Sequence, residues 1–204
     1  MRTRVGVLIS GGGSNMAALI AAAQAPECPY EVALVISNIA DAGGLAKAAE
    51  AGVATLVIDH RPFAKDRESH ERAIDAALRE AACEYVALAG YMRILTPVLV
   101  NAWEGRMLNI HPALLPLFPG LHTHQRALDA GVKVHGCTVH LVTAGVDEGP
   151  ILGQAAVPVL AGDDEASLAA RVLKAEHTLY PRCLAAVVSG APLPADADQM
   201  LVSG

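Results

Sequence analysis

The chain is poor in the features that mark membrane-spanning, secreted and nucleic-acid-binding proteins. Its 204 residues contain no run of about 18 apolar residues that could cross a bilayer and no basic leader with an apolar core. Aromatic residues make up only 3% and the formal net charge is −6, which argues against a surface that attracts phosphates and stacks bases. We therefore expect a cytoplasmic protein with neither a membrane nor a nucleic-acid partner.

Cysteine is scarce as well, and its spacing excludes a familiar class of site. The four cysteines are far apart and none forms the CxxC pair of a zinc ribbon, so we interpret them as free thiols. Hydrophobic residues make up 53% of the chain, enough for a sizeable core. We predict a single domain over residues 1–188. The last segment, 189–204, is rich in Ala, Pro and Asp, and we predict a loosely ordered tail there.

Short apolar runs alternate with Ala-rich segments of helical character along most of the chain. This alternation predicts an α/β fold with a doubly wound, mostly parallel sheet. Strands are expected at 4–9, 31–36, 54–58 and 85–89, and again just before Pro112. Segments 135–142 and 151–159 flank a turn and predict an antiparallel hairpin at the sheet edge. The polar and apolar residues of 135–142 alternate, which predicts that this strand is half exposed.

A glycine turn, Ser10-Gly-Gly-Gly-Ser-Asn15, follows the first strand. The N–H groups that open the next helix would form a place for a phosphate. The turn lacks the Gly-Lys-Ser/Thr of a P-loop, and the third glycine of the dinucleotide fingerprint would fall on Met16. A phosphate cradle is therefore one hypothesis. The alternative is a structural turn in which Ser14 merely caps the helix.

The most informative stretch runs from Arg106 to His124. Asn109 and His111 occupy alternate positions at a strand end, so they face the same way, and Pro112 ends the strand. Ligands bind at the carboxyl edge of a parallel sheet. An amide donor and an imidazole at that edge suit a reaction in which a carbonyl oxygen gains negative charge. Asp147 of the hairpin turn could favour the imidazolium and accept a proton, but the sequence alone does not bring it to His111.

Histidines in this half of the chain raise two further alternatives. A metal site must be weighed, because histidines stand at His111, His122, His124, His135 and His140. No adjacent carboxylate completes a ligand pattern, so we expect no metal. His111 could also be a hydrogen-bonded structural histidine. No Ser or Cys sits in a nucleophile elbow, which favours direct attack by a substrate amine on an activated acyl donor.

The segment after the fourth strand carries Met92, Ile94 and Leu95, which could wall an apolar ligand pocket or pack in the core. Arg67 could reach an anion or lie in solvent.

Six motifs, in this order, resemble the glycinamide ribonucleotide transformylase family of purine synthesis. They are Ile9-Ser-Gly-Gly-Gly-Ser-Asn15, Leu88-Ala-Gly-Tyr-Met-Arg-Ile-Leu95, Leu108-Asn-Ile-His-Pro-Ala-Leu-Leu-Pro116, Pro119-Gly-Leu-His-Thr-His124, Val146-Asp-Glu-Gly-Pro150 and Glu176-His-Thr-Leu-Tyr-Pro181.

The resemblance implies a Rossmann-like formyltransferase fold, with the phosphate loop in the N-terminal half and the folate and catalytic loops in the C-terminal half. It implies formyl transfer from the co-substrate 10-formyltetrahydrofolate to the amine of glycinamide ribonucleotide, through a tetrahedral intermediate and without metal. The implied catalytic residues are Asn109, His111 and Asp147. Those implied to bind the ribonucleotide are Gly12, Gly13, Ser14, Asn15, Arg67 and Glu176. Those implied to bind folate are Met92, Arg93, Ile94, Leu95, Asn109, Val142 and Asp147.

The chain departs from the family pattern at a few positions. Gly12 stands where the family often has Asn, Leu117 stands where it has a basic residue, and 144–145 is less acidic. The alternatives are a related folate-dependent formyltransferase, such as the one that acts on methionyl-tRNA, formyltetrahydrofolate deformylase, and a nucleotide-binding module without catalysis. For the oligomeric state, both a monomer and a homodimer are left open.

Overall fold

The computed structural model describes residues 1–193, which form two compact units, Met1–Asn109 and Ile110 onward. The boundary between the units falls inside the strand Met107–His111. The predicted tail lies largely outside the described residues, which end four residues after the last helix. A single domain over 1–188 stays a prediction.

The first unit is built on parallel strands in the order β3-β2-β1-β4-β5. The strands are β1 (Thr3–Ile9), β2 (Tyr30–Ser37), β3 (Ala54–Val57), β4 (Tyr85–Leu88) and β5 (Met107–His111). The helices are α1 (Ser14–Ala23), α2 (Gly43–Glu50), α3 (Arg67–Glu80) and α4 (Pro97–Ala102), and a short 3-10 helix spans Arg61–Phe63. The predicted strand and helix alternation is confirmed.

Close packing of α3 against β1 requires glycine at position 6. The apolar run of β1 is buried from Val5 to Ile9, as expected for a parallel strand covered on both faces. A Cβ at Gly6 would lie 2.2 Å from Leu78 Cδ2 of α3. Glycine at this position therefore lets the helix approach the strand.

The second unit contains the end of β5 and an antiparallel hairpin of β6 (Val134–Leu141) and β7 (Ile151–Pro158). Two helices complete it, α5 (Thr123–Asp129) and α6 (Glu165–Ser189). The predicted hairpin is confirmed. The predicted exposed face of β6 is wrong, because every residue from His135 to His140 is buried. Helix α6 packs on both strands of the hairpin, and the polar side chains of β6 point into the interior.

Two helices begin at side-chain caps. Thr96 Oγ1 accepts a hydrogen bond from the Val98 N–H, and Pro97 opens α4. Asp164 and Ser167 form a reciprocal capping box at the start of α6. Within residues 1–193, no helix combines the length and the apolar character needed to span a membrane.

Candidate active site

His111, the last residue of β5, faces a carboxylate from the loop between β6 and β7. Its Nδ1 lies 3.3 Å from Asp147 Oδ2, and its Nε2 lies 3.0 Å from the carbonyl oxygen of Phe118. Both ring nitrogens therefore face oxygen acceptors. Since a neutral imidazole carries only one N–H, a ring that donates to both oxygens must carry two protons. The Phe118 carbonyl can only accept, so Nε2 is the donor in that contact, and Nδ1 faces the Asp147 carboxylate.

The Asp147 carboxylate also contacts groups other than His111. The Gly120 N–H donates to Asp147 Oδ2 at 2.9 Å, and His140 Nε2 lies 3.7 Å from Oδ1. Burial alone would raise the pKa of the Asp147 carboxyl, but the contacts with His140 and Gly120 and the charge of His111 outweigh it. The pKa therefore lies below its usual range. At neutral pH Asp147 is therefore ionised and places a negative charge beside His111.

The backbone at Asp147 is left-handed, with φ of 56°. Few residues with a Cβ adopt this conformation, and Asp is one of those that tolerate it. Val142, at the start of the same loop, is half-buried. The left-handed turn is the local feature that places a carboxylate from this loop against His111.

Sequence reasoning missed His140. It saw this residue only as one of several histidines that could bind metal, whereas its Nδ1 lies 2.9 Å from the Leu141 carbonyl oxygen and its Nε2 faces Asp147. The available signal was a polar residue just ahead of the loop that carries Asp147. Within the described part of the chain, no group of three or more His, Cys, Asp or Glu residues is arranged to hold a metal ion.

The other histidines of this unit have different surroundings. His122 is exposed, whereas the ring of His124 packs edge-on against His135 at 5.3 Å. The His135 ring also packs edge-on against Phe118 at 5.9 Å. Burial, with a smaller contribution from His124, lowers the pKa of His135 to about 4. His135 is therefore a neutral part of the core at physiological pH.

The glycine turn of the first unit opens α1 and lines a cavity of about 250 Å³. Helix α1 begins at Ser14, and the residue before it, Gly13, is left-handed with φ of 64°. Ser14 is therefore the first residue of the helix and not its N-cap, and a purely structural turn stays the alternative to a phosphate site. A Cβ at Gly13 would lie 2.8 Å from Gly44 Cα, so the turn needs glycine to pack against the start of α2. Backbone N–H groups at a helix start form an anion-binding surface.

Lys47 is a second residue that sequence reasoning missed. It lies on α2, lines the same cavity, and its Nζ donates to the Gly12 carbonyl oxygen at 2.7 Å. The available signal was a single cation on the short helix that follows Gly43 and Gly44. Its ammonium adds positive charge beside the backbone donors, which suits a phosphate.

The loop before α4 exposes apolar side chains. Met92 and Ile94 are 68% and 64% exposed, so the core-packing alternative is wrong for both, while Arg93 and Leu95 are half-buried. Arg67 Nη1 donates to the Ile94 carbonyl oxygen at 3.4 Å, which places Arg67 against this loop. Ser10 Oγ also accepts from the Met92 N–H at 2.8 Å and so ties the loop to the end of β1.

The remaining predicted residues lie on regular elements. Asn109 is half-buried on β5, opposite Leu88 of β4, and it stands two positions before His111. Glu176 lies on α6 and is buried. The structure thus places His111 against Asp147 and Arg67 against the 92–95 loop. Residues 12–15 line one cavity. The functional roles of these residues stay predictions.

Comparisons with known proteins point to one family. The formyl transferase family model matches residues 3–184. A crystal structure of phosphoribosylglycinamide formyltransferase from Brucella melitensis is 62% identical and superposes with a TM-score of 0.89, covering 95% of this chain and 99% of that one. This similarity confirms the predicted fold class.

Relatives with the same name, and longer proteins, share the sequence. Phosphoribosylglycinamide formyltransferase of Escherichia coli K12 is 48% identical over 175 residues, which cover 86% of this chain and 82% of that protein. The trifunctional purine biosynthetic protein adenosine-3 of Drosophila pseudoobscura is 51% identical over 192 residues, but the chain spans only 14% of its length. The chain therefore belongs to the formyl transferase family, as its motifs predict.

Proposed function

We propose that the chain is a phosphoribosylglycinamide formyltransferase of de novo purine biosynthesis, which transfers the formyl group of 10-formyltetrahydrofolate to the amine of glycinamide ribonucleotide. The observation that carries this proposal is the contact between His111 Nδ1 and Asp147 Oδ2 in a chain of this family. Relatives that bear this name, at 42–48% identity over most of the chain, support it.

The proposed chemistry is direct attack by the substrate amine on the formyl carbon. A new C–N bond forms, the carbonyl oxygen gains negative charge, and the bond to the folate nitrogen then breaks as that nitrogen takes up a proton. In the proposed step the Nε2–H of His111 leaves the Phe118 carbonyl oxygen and donates a hydrogen bond to the developing oxyanion, while Nδ1 stays against Asp147. Asn109 donates a second one from its amide. The Asp147 carboxylate accepts the proton lost by the amine, and this proton supplies the one that the departing folate nitrogen takes up.

In the first unit, the glycine turn is proposed to hold the ribonucleotide phosphate. Gly12, Gly13, Ser14 and Asn15 supply backbone and side-chain donors around the cavity, and Lys47 supplies a cation. Glu176 of the second unit is proposed to accept hydrogen bonds from the ribose hydroxyls. Its burial favours an ordered carboxylate with few alternative rotamers.

The 92–95 loop is proposed to receive the folate. The exposed apolar side chains of Met92 and Ile94 suit a flat heteroaromatic ring. Asn109, Val142 and Asp147 complete the proposed folate set. The contact of Arg67 with Ile94 supports a place beside this loop, where its guanidinium is available to an anionic part of a substrate.

The remaining parts of the proposal concern partners and location. The substrates are small molecules, with 10-formyltetrahydrofolate as co-substrate and no metal, and the enzyme works in the cytoplasm as a monomer or homodimer without nucleic acid or membrane. The net charge of −6 supports the absence of a nucleic-acid partner.

The decisive experiment offers the purified protein three formyl acceptors in competition: glycinamide ribonucleotide, charged initiator tRNA and water. We expect formyl-glycinamide ribonucleotide to be the dominant product by mass spectrometry. Free formate as the main product would support a deformylase, and formylated tRNA would support the tRNA enzyme. Binding of the ribonucleotide without any product would refute catalysis altogether.

A further inference from the structure

The loop between β5 and α5 provides two of the contacts that hold His111 and Asp147 together. The Phe118 carbonyl oxygen faces His111 Nε2 at 3.0 Å. The Gly120 N–H donates to Asp147 Oδ2 at 2.9 Å. A shift of this loop would therefore move one partner of each residue at the same time.

The backbone of this loop does not adopt an ordinary conformation. Phe118 and His122 are left-handed, with φ of 55° and 57°, although both carry a Cβ, and Gly120 between them has φ of 77°. Non-glycine residues stay in this region only where surrounding contacts determine it. The loop therefore needs an external support to keep the Phe118 carbonyl and the Gly120 N–H in place.

Arg126, an exposed residue of α5, provides such a support. Its Nη1 donates to the carbonyl oxygens of Pro119 and Leu121, the second at 3.3 Å. The guanidinium carbon lies 5.7 Å from the centre of the Phe118 ring. A planar guanidinium can bond carbonyls and stack on an aromatic ring at once, which an ammonium cannot reproduce. One side chain thus binds three of the residues around Gly120.

We propose that Arg126 is a positioning residue for the His111–Asp147 pair, acting through the backbone of residues 118–122. The inference rests on the proposed function, because that function gives the pair its catalytic role. Arg126 itself contacts neither residue of the pair in the structure. Its effect should therefore fall on the rate of chemistry and on the titration of Asp147, while substrate binding stays the same.

The helix also has a second attachment to this loop. Thr123 Oγ1 donates to the Pro112 carbonyl oxygen at 2.7 Å, at the other end of the loop. Arg126 takes no part in this bond, so α5 should remain in place when Arg126 is replaced. Removing Arg126 should therefore loosen residues 118–122 without unfolding the unit.

The test compares Arg126→Ala and Arg126→Lys with Gln125→Ala. Gln125 is an exposed neighbour on α5 whose amide donates to Asp129, so it serves as the matched control. We expect kcat of Arg126→Ala to fall by about tenfold, because small displacements of catalytic groups have effects of this size or larger. Both KM values should stay near those of the wild type. Arg126→Lys should recover part of kcat, since its ammonium can reach one carbonyl oxygen.

The pH at which Asp147 titrates is a second measurement, and general destabilisation of the fold would not change it. Asp147 faces His111 from β5, His140 from β6 and the Gly120 N–H from the loop. Weakening the Gly120 bond removes one cause of its low pKa, so its titration should move to higher pH in Arg126→Ala. NMR of the Asp147 carboxyl carbon measures this without turnover.

Outcomes separate this inference from the proposed function. Kinetics and an Asp147 titration identical to those of Gln125→Ala would overturn the positioning role. A fall in kcat with an unmoved titration and no recovery in Arg126→Lys would overturn it as well. If the wild type transfers no formyl group, the proposed function fails, and the NMR titration still decides whether Arg126 controls the pair.

Discussion

His111 Nδ1 and Asp147 Oδ2 lie 3.3 Å apart although one residue ends β5 and the other belongs to the loop between β6 and β7. The pair unites a ring whose nitrogens both face acceptors with a carboxylate whose pKa lies below its usual range. Each partner therefore stabilises the charged form of the other.

Removing either charge should abolish most of the formyl transfer. We expect His111→Asn and Asp147→Asn to lower kcat by about a hundredfold or more, the usual contribution of a general acid or base. Both variants should still bind the ribonucleotide in calorimetry. His122→Asn is the matched control, because His122 lies on the same loop but is exposed. Near wild-type turnover in either pair variant would rule out the mechanism.

The glycine turn offers a matched test at adjacent positions. At Gly13 a Cβ would meet Gly44 Cα at 2.8 Å and φ is 64°, whereas at Gly12 nothing lies within 4 Å. Gly13→Ala should therefore lower the free energy of unfolding by about 1 kcal/mol or more. Gly12→Ala should unfold like the wild type. Urea titrations of both variants measure this difference, and equal midpoints would contradict the packing argument.

Replacing Lys47 should weaken binding of the phosphorylated substrate and leave binding of the dephosphorylated one unchanged. Lys47→Ala removes the cation that lines the glycine-turn cavity, so KM for the ribonucleotide should rise about tenfold, the value of one hydrogen bond to a charged group. The dephosphorylated substrate should bind equally weakly to both proteins. Lys65→Ala, an exposed lysine of the same unit, is the control. A loss of affinity for both substrates alike would argue against a phosphate contact.

His135 should make the fold sensitive to acid. Its pKa is lowered from 6.5 to about 4 by burial, so the unfolded chain takes up the proton first as the pH falls. The free energy of unfolding should therefore decrease between pH 6.5 and pH 4, by up to about 3 kcal/mol. His135→Phe keeps the ring contacts with Phe118 and His124 but cannot titrate. Its stability should fall less over this range, while parallel curves for the two proteins would exclude His135 as the cause.

Chelation should leave the activity unchanged. The proposed reaction uses an imidazolium and an amide to stabilise the oxyanion, which requires no Lewis acid. Dialysis against EDTA followed by a formyl-transfer assay in chelator-treated buffer tests this, with added Zn²⁺ and Mg²⁺ in parallel samples. Activity that disappears on dialysis and returns with one of the metals would require a revised mechanism.

Local signals predicted the framework of the fold and the position of β5, the strand that carries Asn109 and His111. Pro112 marks the end of β5 because it cannot continue the ladder, and Thr96 and Pro97 mark the start of α4. The hairpin followed from two apolar segments around a turn. These features depend on neighbours in sequence, which the sequence displays directly.

Local sequence patterns did not predict the contacts between residues that are far apart in the chain. The polar residues of β6 suggested an exposed face, but α6 covers the hairpin and buries them. Lys47 and His140 have no local signature that separates them from ordinary surface or structural residues. Even the contact of Asp147 with His111 depends on a left-handed backbone that the residue type permits but does not require.

The conformation of Asp147 also limits which amino acids position 147 can accept. The proposed mechanism requires a carboxylate at this position, and the fold requires a backbone with φ of 56°. Asn and Gly tolerate that backbone but lack the charge, whereas Glu has the charge on a side chain that does not favour it. In a library of all twenty amino acids at this position, selection for growth without purines should therefore return Asp alone.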